Sequence, residues 1–136
     1  IIYFYNVYGP GKIKVGDMAT VVGIFEDQYK KNKPLTIVKP GTQTRRFTHI
    51  DDTINICIEA WRKNKCLQYS ISHKKSYSIQ DLAKMFKTKI IYLKPRSGER
   101  YASALTKISN NRKIINKYGR IDLKDYVTSF IKGEKL

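Results

Sequence analysis

The chain has 136 residues, of which 41% are hydrophobic and 12% aromatic, and it carries a formal net charge of +16. That length suits one compact unit and the apolar content excludes a disordered polypeptide; no run of about 18 apolar residues offers a membrane span and no charged-then-apolar leader opens the chain, so a cytoplasmic protein is expected. The positive charge would suit a polyanion, but no basic run exceeds two residues; a solvated basic surface is the expectation, with a non-catalytic nucleic-acid-binding module as the alternative from another class.

The first segment, "IIYFYNVYG", is dense in apolar and aromatic residues and reads as a buried strand. Gly9, Pro10, Gly11 and Gly16 then mark a loop. From Ala19 the positions Val21, Ile24, Phe25 and Tyr29 form one helical face that ends before Pro34. "LTIV" and "RFTHI" read as short strands around a "KPGTQ" loop. Asp51 or Asp52 can cap the next helix, whose Ile54, Cys57, Ile58 and Trp61 have the spacing of a buried stripe. "CLQYSIS" is a strand, Ser78 and Asp81 resemble a capping box, and Ile79, Leu82, Ala83 and Phe86 share a helix face. "KIIYLKP" is a strand, residues 96–103 are loop-like, "NNRKIINKYG" gives a short helix closed by Gly119, and the last helix opens at Asp122. Strands and helices alternate without a linker or repeat, so the class is α/β.

Few segments carry chemistry of their own. Cys57 and Cys66 lack C-x-x-C spacing, and with only His49 and His73 besides, no metal cluster is expected. Tyr8 with Lys12, and Tyr29 with Lys33, have a Tyr-x-x-x-Lys spacing, but the first pair spans Gly-Pro-Gly and the second a fraying helix end, so neither suits proton transfer. The Gly-Pro-Gly-Lys loop is too short for a P-loop, and no dinucleotide-binding glycine fingerprint occurs. In "TQTRRFTHIDD", strand alternation would put Arg45, Phe47 and His49 on one face and Arg46, Thr48 and Ile50 on the other. An inward Arg45 needs an anion, either a diphosphate or one of the chain's carboxylates. In "KPRSGER", Arg96 and Glu99 suit a nucleotide's phosphate and ribose, or an exposed charged loop.

Taken in order, three segments resemble the C-terminal part of the NAD-dependent nucleotide-sugar epimerases and dehydratases, the extended short-chain dehydrogenase/reductase family, with UDP-glucose 4-epimerase-like proteins nearest. "YFYNVYGPG" is similar to its Tyr-Phe-Asn-x-x-Gly-Pro segment, "PLTIVKPGTQTRRFTHIDD" to its edge strand and Arg-Asp-Phe-x-His-Val-x-Asp segment, and "PRSGER" to its Pro-Arg-x-Gly-Glu/Asp turn. The resemblance implies that residues 1–136 are a single nucleotide-sugar-binding region: a C-terminal substrate-binding subdomain with the last strand of a Rossmann fold, the N-terminal NAD-binding part being absent. It implies Asn6 at the sugar diphosphate, Tyr5 beside the nicotinamide, and Ala19 and Thr20 lining the diphosphate pocket. Thr36 and Val38 would meet the base through backbone groups, Arg45 and Arg96 the phosphates, and Glu99 the ribose. No catalytic residue and no metal ligand is implied for this chain. The parent would bind NAD and a UDP-sugar and epimerise it at C4, or, as the alternative within the family, act as a dehydratase; the isolated chain is expected to be inactive. A sheet edge left open in such a fragment is a route to a homodimer. Arg46 departs from the family, which has aspartate there.

Overall fold

The apolar run at the N-terminus breaks at Asn6. In the computed structural model, which describes residues 1–63, 68–95 and 112–134, Asn6 has φ 46°, a left-handed conformation that asparagine tolerates better than most residues. The run therefore becomes two strands, β1 (Ile2–Phe4) and β2 (Val7–Tyr8). Strand β1 runs parallel to β6 (Tyr69–Ile71), and β2 runs parallel to β5 (Thr48–His49). The expectation of a buried first strand is corrected here, because Ile2 and Phe4 are 37% and 54% exposed. Among the described residues β1 pairs on one edge only, so its side chains lack the cover that a central parallel strand receives.

A second parallel pair joins β3 (Leu35–Val38) to β8 (Ile90–Leu93), and β4 (Thr44–Arg45) pairs antiparallel with β7 (Tyr77–Ser78). Helices α1 (Val21–Lys30), α3 (Ile79–Met85) and α5 (Leu123–Lys132) close over these strands. The main core gathers Phe25, Leu35, Ile37, Leu82, Phe86 and Leu123, each no more than 1% exposed, and each such side chain contributes about 1.5–3 kcal/mol by leaving water. A smaller cluster of Ile56, Ala60, Tyr69, Ile71 and Ile114 joins α2 (Ile50–Lys63) and α4 (Arg112–Tyr118) to β6. The expected α/β class holds.

Local capping signals are met. Ser78 Oγ accepts from the Asp81 N–H at 2.9 Å and Asp81 Oδ2 accepts from the Ser78 N–H at 3.2 Å, a complete capping box. Asp122 caps α5 by accepting from Lys124 N–H, and its carboxylate also receives Lys75 Nζ at 2.7 Å and Tyr77 Oη at 2.6 Å. Those hydrogen bonds hold the carboxyl below its ordinary range, against the upward push of burial.

Two expectations about the segment from Arg45 to Trp61 are corrected. The "RFTHI" strand is split into β4 and β5, and simple alternation fails because Phe47, Thr48 and His49 are all buried. Helix α2 begins at Ile50 directly after β5, so Asp51 and Asp52 lie in its first turn instead of capping it. The cap is His49, whose Nδ1 accepts from the Asp51 N–H at 3.2 Å. The stripe expected to be buried also faces outward: Ile54, Ile58 and Trp61 are 48%, 40% and 79% exposed, and Cys57 is half-buried. The inward face is Thr53, Ile56 and Ala60, an equally good helical spacing that packs on β6 and α4.

Candidate functional site

Two adjoining hollows meet at Asn6 and Val21. One, of about 280 Å³, is lined by Asn6, Ala19, Thr20, Val21, Val22 and Phe47 among others. The other, of about 220 Å³, runs from Asn6 and Val21 past Thr36, Val38, Gln43 and Arg45 to Ile79 and Leu93. Together they form a groove across the start of α1.

The amide end of α1 faces this groove. Thr20 has extended backbone, its Oγ1 accepts from Gly23 N–H at 3.1 Å, and its own N–H donates to Ile13 O at 3.0 Å. Val21 and Val22, as first-turn residues, have no intrahelical acceptor for their N–H groups, and both line the groove. Unlike α2, α3 and α5, α1 carries no acidic residue in its first turn. Its positive dipole end is therefore left for an anion from outside the helix.

Arg45 enters from β4. Its Nη1 donates to Thr44 O at 2.8 Å, and the half-buried side chain lines the hollow beside Gln43, which is 3% exposed. Asn6 places its amide on the same rim, with Nδ2 donating to Arg46 O at 3.3 Å. Arg46 lines neither hollow. The two neighbouring arginines are therefore placed differently.

Strand β3 supplies a backbone edge. Leu35 N–H donates to Lys89 O, just before β8, at 2.8 Å and Lys39 N–H to Leu93 O at 3.1 Å, so by the parallel pattern Thr36 and Val38 present their amides to the opposite side. There the Thr36 N–H donates to Gln28 Oε1 at 3.1 Å and Gln28 Nε2 donates to Thr36 Oγ1 at 2.8 Å. Thr36 is thus engaged by α1, and Val38, the next residue turned to that side, lines the hollow.

Beneath the loop from Gly9 to Gly11 lies a buried polar cluster. Lys12 Nζ sits 2.6 Å from Glu26 Oε1, with side chains only 5% and 3% exposed. It also donates to Gly9 O at 3.0 Å and to the Tyr126 hydroxyl, which itself donates to Glu26 Oε1 at 2.9 Å. Burial lowers the Lys12 pKa, opposed by the hydrogen bond to Glu26, and burial raises that of Tyr126. Tyr8, stacked edge-on against His49 and Tyr126, is raised in the same way and donates to Ile121 O at 3.0 Å. These groups lock the loop to α1 and α5.

The structure thus brings Asn6, Ala19, Thr20, Thr36, Val38 and Arg45 onto one groove. Tyr5 is half-buried next to Asn6 but lines neither hollow, and Arg96 and Glu99 lie outside the described residues. Sequence reasoning passed over Gln43, whose only signal was a polar residue wedged between the glycine turn and Arg45, and the apolar wall of Val21, Ile24, Phe25, Ile79 and Leu93, which reads as core.

The fold is shared with known enzymes. A UDP-glucose 4-epimerase from Thermotoga maritima, solved with UDP-glucose, superposes with a TM-score of 0.81 over 96% of this chain and 44% of its own, at 20% identity, a likeness of fold alone. A UDP-glucuronic acid 4-epimerase from Bacillus cereus, solved with UDP-glucuronic acid and NAD, has a TM-score of 0.75 and 27% identity over 97% of this chain and 44% of its own. UDP-glucuronic acid decarboxylase 3 from Arabidopsis thaliana is 31% identical over 87 residues, 64% of this chain and 25% of the relative. The chain therefore spans a quarter of the length of that curated relative and less than half that of the solved ones. A model of the NAD dependent epimerase/dehydratase family matches residues 1–72, more than half of the 136, and the chain belongs to that family.

Proposed function

We propose that residues 1–136 form the nucleotide-sugar-binding region of an NAD-dependent UDP-sugar 4-epimerase. The observation that carries this reading is the convergence on one groove of the acid-free N-terminus of α1, the Arg45 guanidinium and the Asn6 amide, beside the backbone edge at Val38. A diphosphate would lie across Thr20, Val21 and Val22, held by the helix amides and by bidentate donation from Arg45. A flat base would reach the apolar hollow between Ile24, Ile79 and Leu93 and exchange hydrogen bonds with Val38. Asn6, at the junction of the two hollows, would mark where the sugar leaves the diphosphate. Arg96 and Glu99 would complete the site at phosphate and ribose.

The family's cofactor is NAD, whose nicotinamide accepts and returns a hydride. The residues present do not fit the rest of that cofactor. The connection from β2 to α1 folds back through Ile13 O to Thr20 instead of making a short glycine turn, and the glycine fingerprint is missing from the sequence. No catalytic step is therefore derived from this chain, whose part is binding and orientation. The open edge of β1 and the outward stripe of Ile54, Ile58 and Trp61 would receive the NAD-binding portion of such an enzyme.

Family relatives that decarboxylate or dehydrate nucleotide sugars could use the same nucleotide groove, so its residues alone support the nucleotide class more strongly than the 4-epimerase assignment. Calorimetric titration with UDP tests the binding reading. Arg45→Ala should weaken UDP by about 10- to 100-fold, the worth of one charge-assisted bidentate contact, and uridine should bind the wild-type chain no better than UDP binds the variant. Equal affinity of the wild-type and Arg45→Ala chains for UDP would refute it.

A further inference from the structure

A third cavity, of about 400 Å³, lies apart from the nucleotide groove, between the Gly9–Pro10 turn, the start of α2 and the end of α5. The His49 and Tyr126 rings, with centroids 5.5 Å apart, form its floor; Pro10 and Phe130 form its walls; Asp51 and Glu134 stand at its mouth. Its volume falls in the range of small-molecule sites. Its charge is the reverse of the chain's: among the described residues two carboxylates and no lysine or arginine line it, on a polypeptide with 27 basic and 11 acidic residues.

His49 adds a hydrogen-bond donor to this lining. His49 is 3% exposed, and its Nδ1 accepts from the Asp51 N–H. Because Nδ1 accepts that N–H the ring is neutral, in the direction that burial also favours, and the 3.6 Å approach of Asp51 Oδ2 is not an ion pair. The proton therefore sits on Nε2, which donates to no acceptor among the described residues. Gly9 leaves this nitrogen uncovered, since a Cβ there would stand 3.2 Å from Nε2 and 2.6 Å from Ile50 Cγ2. Beneath the floor, Lys12 lies over the Tyr126 ring at 5.0 Å from its centroid, and its pairing with Glu26 at 2.6 Å offsets much of its charge. Among the described residues the ion pair of Glu134 is a loose one with Lys132, at 3.8 Å and with both side chains 59% exposed.

We infer that this cavity is a binding site for a small protonated amino alcohol, with the ammonium group between Asp51 and Glu134, the carbon body on Tyr126 and Phe130, and a hydroxyl accepting from His49 Nε2. Because the cavity shares no lining residue with the nucleotide groove, the inference stands or falls independently of the proposed function.

The test is an NMR titration of the full chain at pH 6 with glucosamine as the probe and glucose as its uncharged twin. Glucosamine should give saturable shifts of the His49 and Tyr126 ring signals, unchanged by saturating UDP. Glucose should give none. Asp51→Asn combined with Glu134→Gln should weaken glucosamine by about five- to tenfold, the sum of two exposed charge contacts. Ser129→Arg, which places a tethered guanidinium in the same cavity, should abolish binding while far-ultraviolet circular dichroism stays unchanged. No saturable shift with glucosamine, equal shifts with glucose, or undiminished binding in the folded Ser129→Arg chain would overturn the proposal.

Discussion

Replacing Lys12 by methionine should destabilise the fold far more than its position in a glycine-rich loop suggests. The ammonium is 5% exposed and 2.6 Å from Glu26, itself 3% exposed. Methionine keeps most of the volume but leaves the carboxylate buried, with the Tyr126 hydroxyl as its one remaining side-chain donor among the described residues. Breaking one partner of a buried pair costs about 3–5 kcal/mol, at least about a fifth of the roughly 5–15 kcal/mol that holds a domain together. For a chain of this size that corresponds to a fall in melting temperature of about 10–15 °C. Lys12→Met combined with Glu26→Leu removes both charges and should recover most of the loss, since an apolar replacement of a buried pair is often neutral. Urea unfolding followed by circular dichroism would measure all the variants. The reasoning fails if Lys12→Met alone costs less than about 1 kcal/mol, or if the double variant is no more stable than the single one.

Mild acid should weaken the fold through its two buried histidines. Burial lowers the pKa values of both His49 and His73, so the unfolded chain binds protons first. Their contribution is complete above about pH 6.5 and is lost as the pH falls below that towards the folded values. A urea midpoint that stays flat between pH 8 and 5 would contradict this. Gly23→Ala should destabilise by about 1–3 kcal/mol although alanine is the better helix former, because a Cβ there would lie 2.5 Å from the carbonyl oxygen of Ile13; a raised melting temperature would count against the packing described. The single tryptophan, Trp61, is 79% exposed, so its fluorescence should be red-shifted and strongly quenched by acrylamide, and Trp61→Ser should change stability by less than about 0.5 kcal/mol. A blue, protected emission from the monomeric chain would be inconsistent with that exposure.

The parts of the fold legible in the sequence were those decided within a few residues. Ser78 with Asp81, and Asp122 before the last helix, act through neighbouring backbone groups, and both helix starts fall where those residues put them, whereas the first helix ends at Lys30, short of Pro34. What failed depended on partners distant in the chain. Helix α2 offers two apolar stripes, and the heavier one, with Ile54, Ile58 and Trp61, is the outward one, because β6 and α4 meet Ile56 and Ala60. Alternation in "RFTHI" was overridden by His49 turning to cap α2. In the groove, the significance of Arg45 was visible only as a need for an anion. Ala19, Thr20, Thr36 and Val38 have no chemistry that marks them in isolation, and the family resemblance singled them out. The engagement of Thr36 by Gln28, eight residues earlier, is a strand-to-helix contact that neither spacing nor resemblance reveals.

The central claim is that one groove at the start of α1 binds a nucleotide diphosphate, and amide-resolved NMR during a UDP titration tests it most directly. The account predicts saturable shifts clustered at Asn6, Thr20, Val21, Val38 and Arg45, with His49 and Tyr126 unmoved. Shifts that remain absent at millimolar UDP, or that cluster around Asp51 and Tyr126 instead, would contradict it.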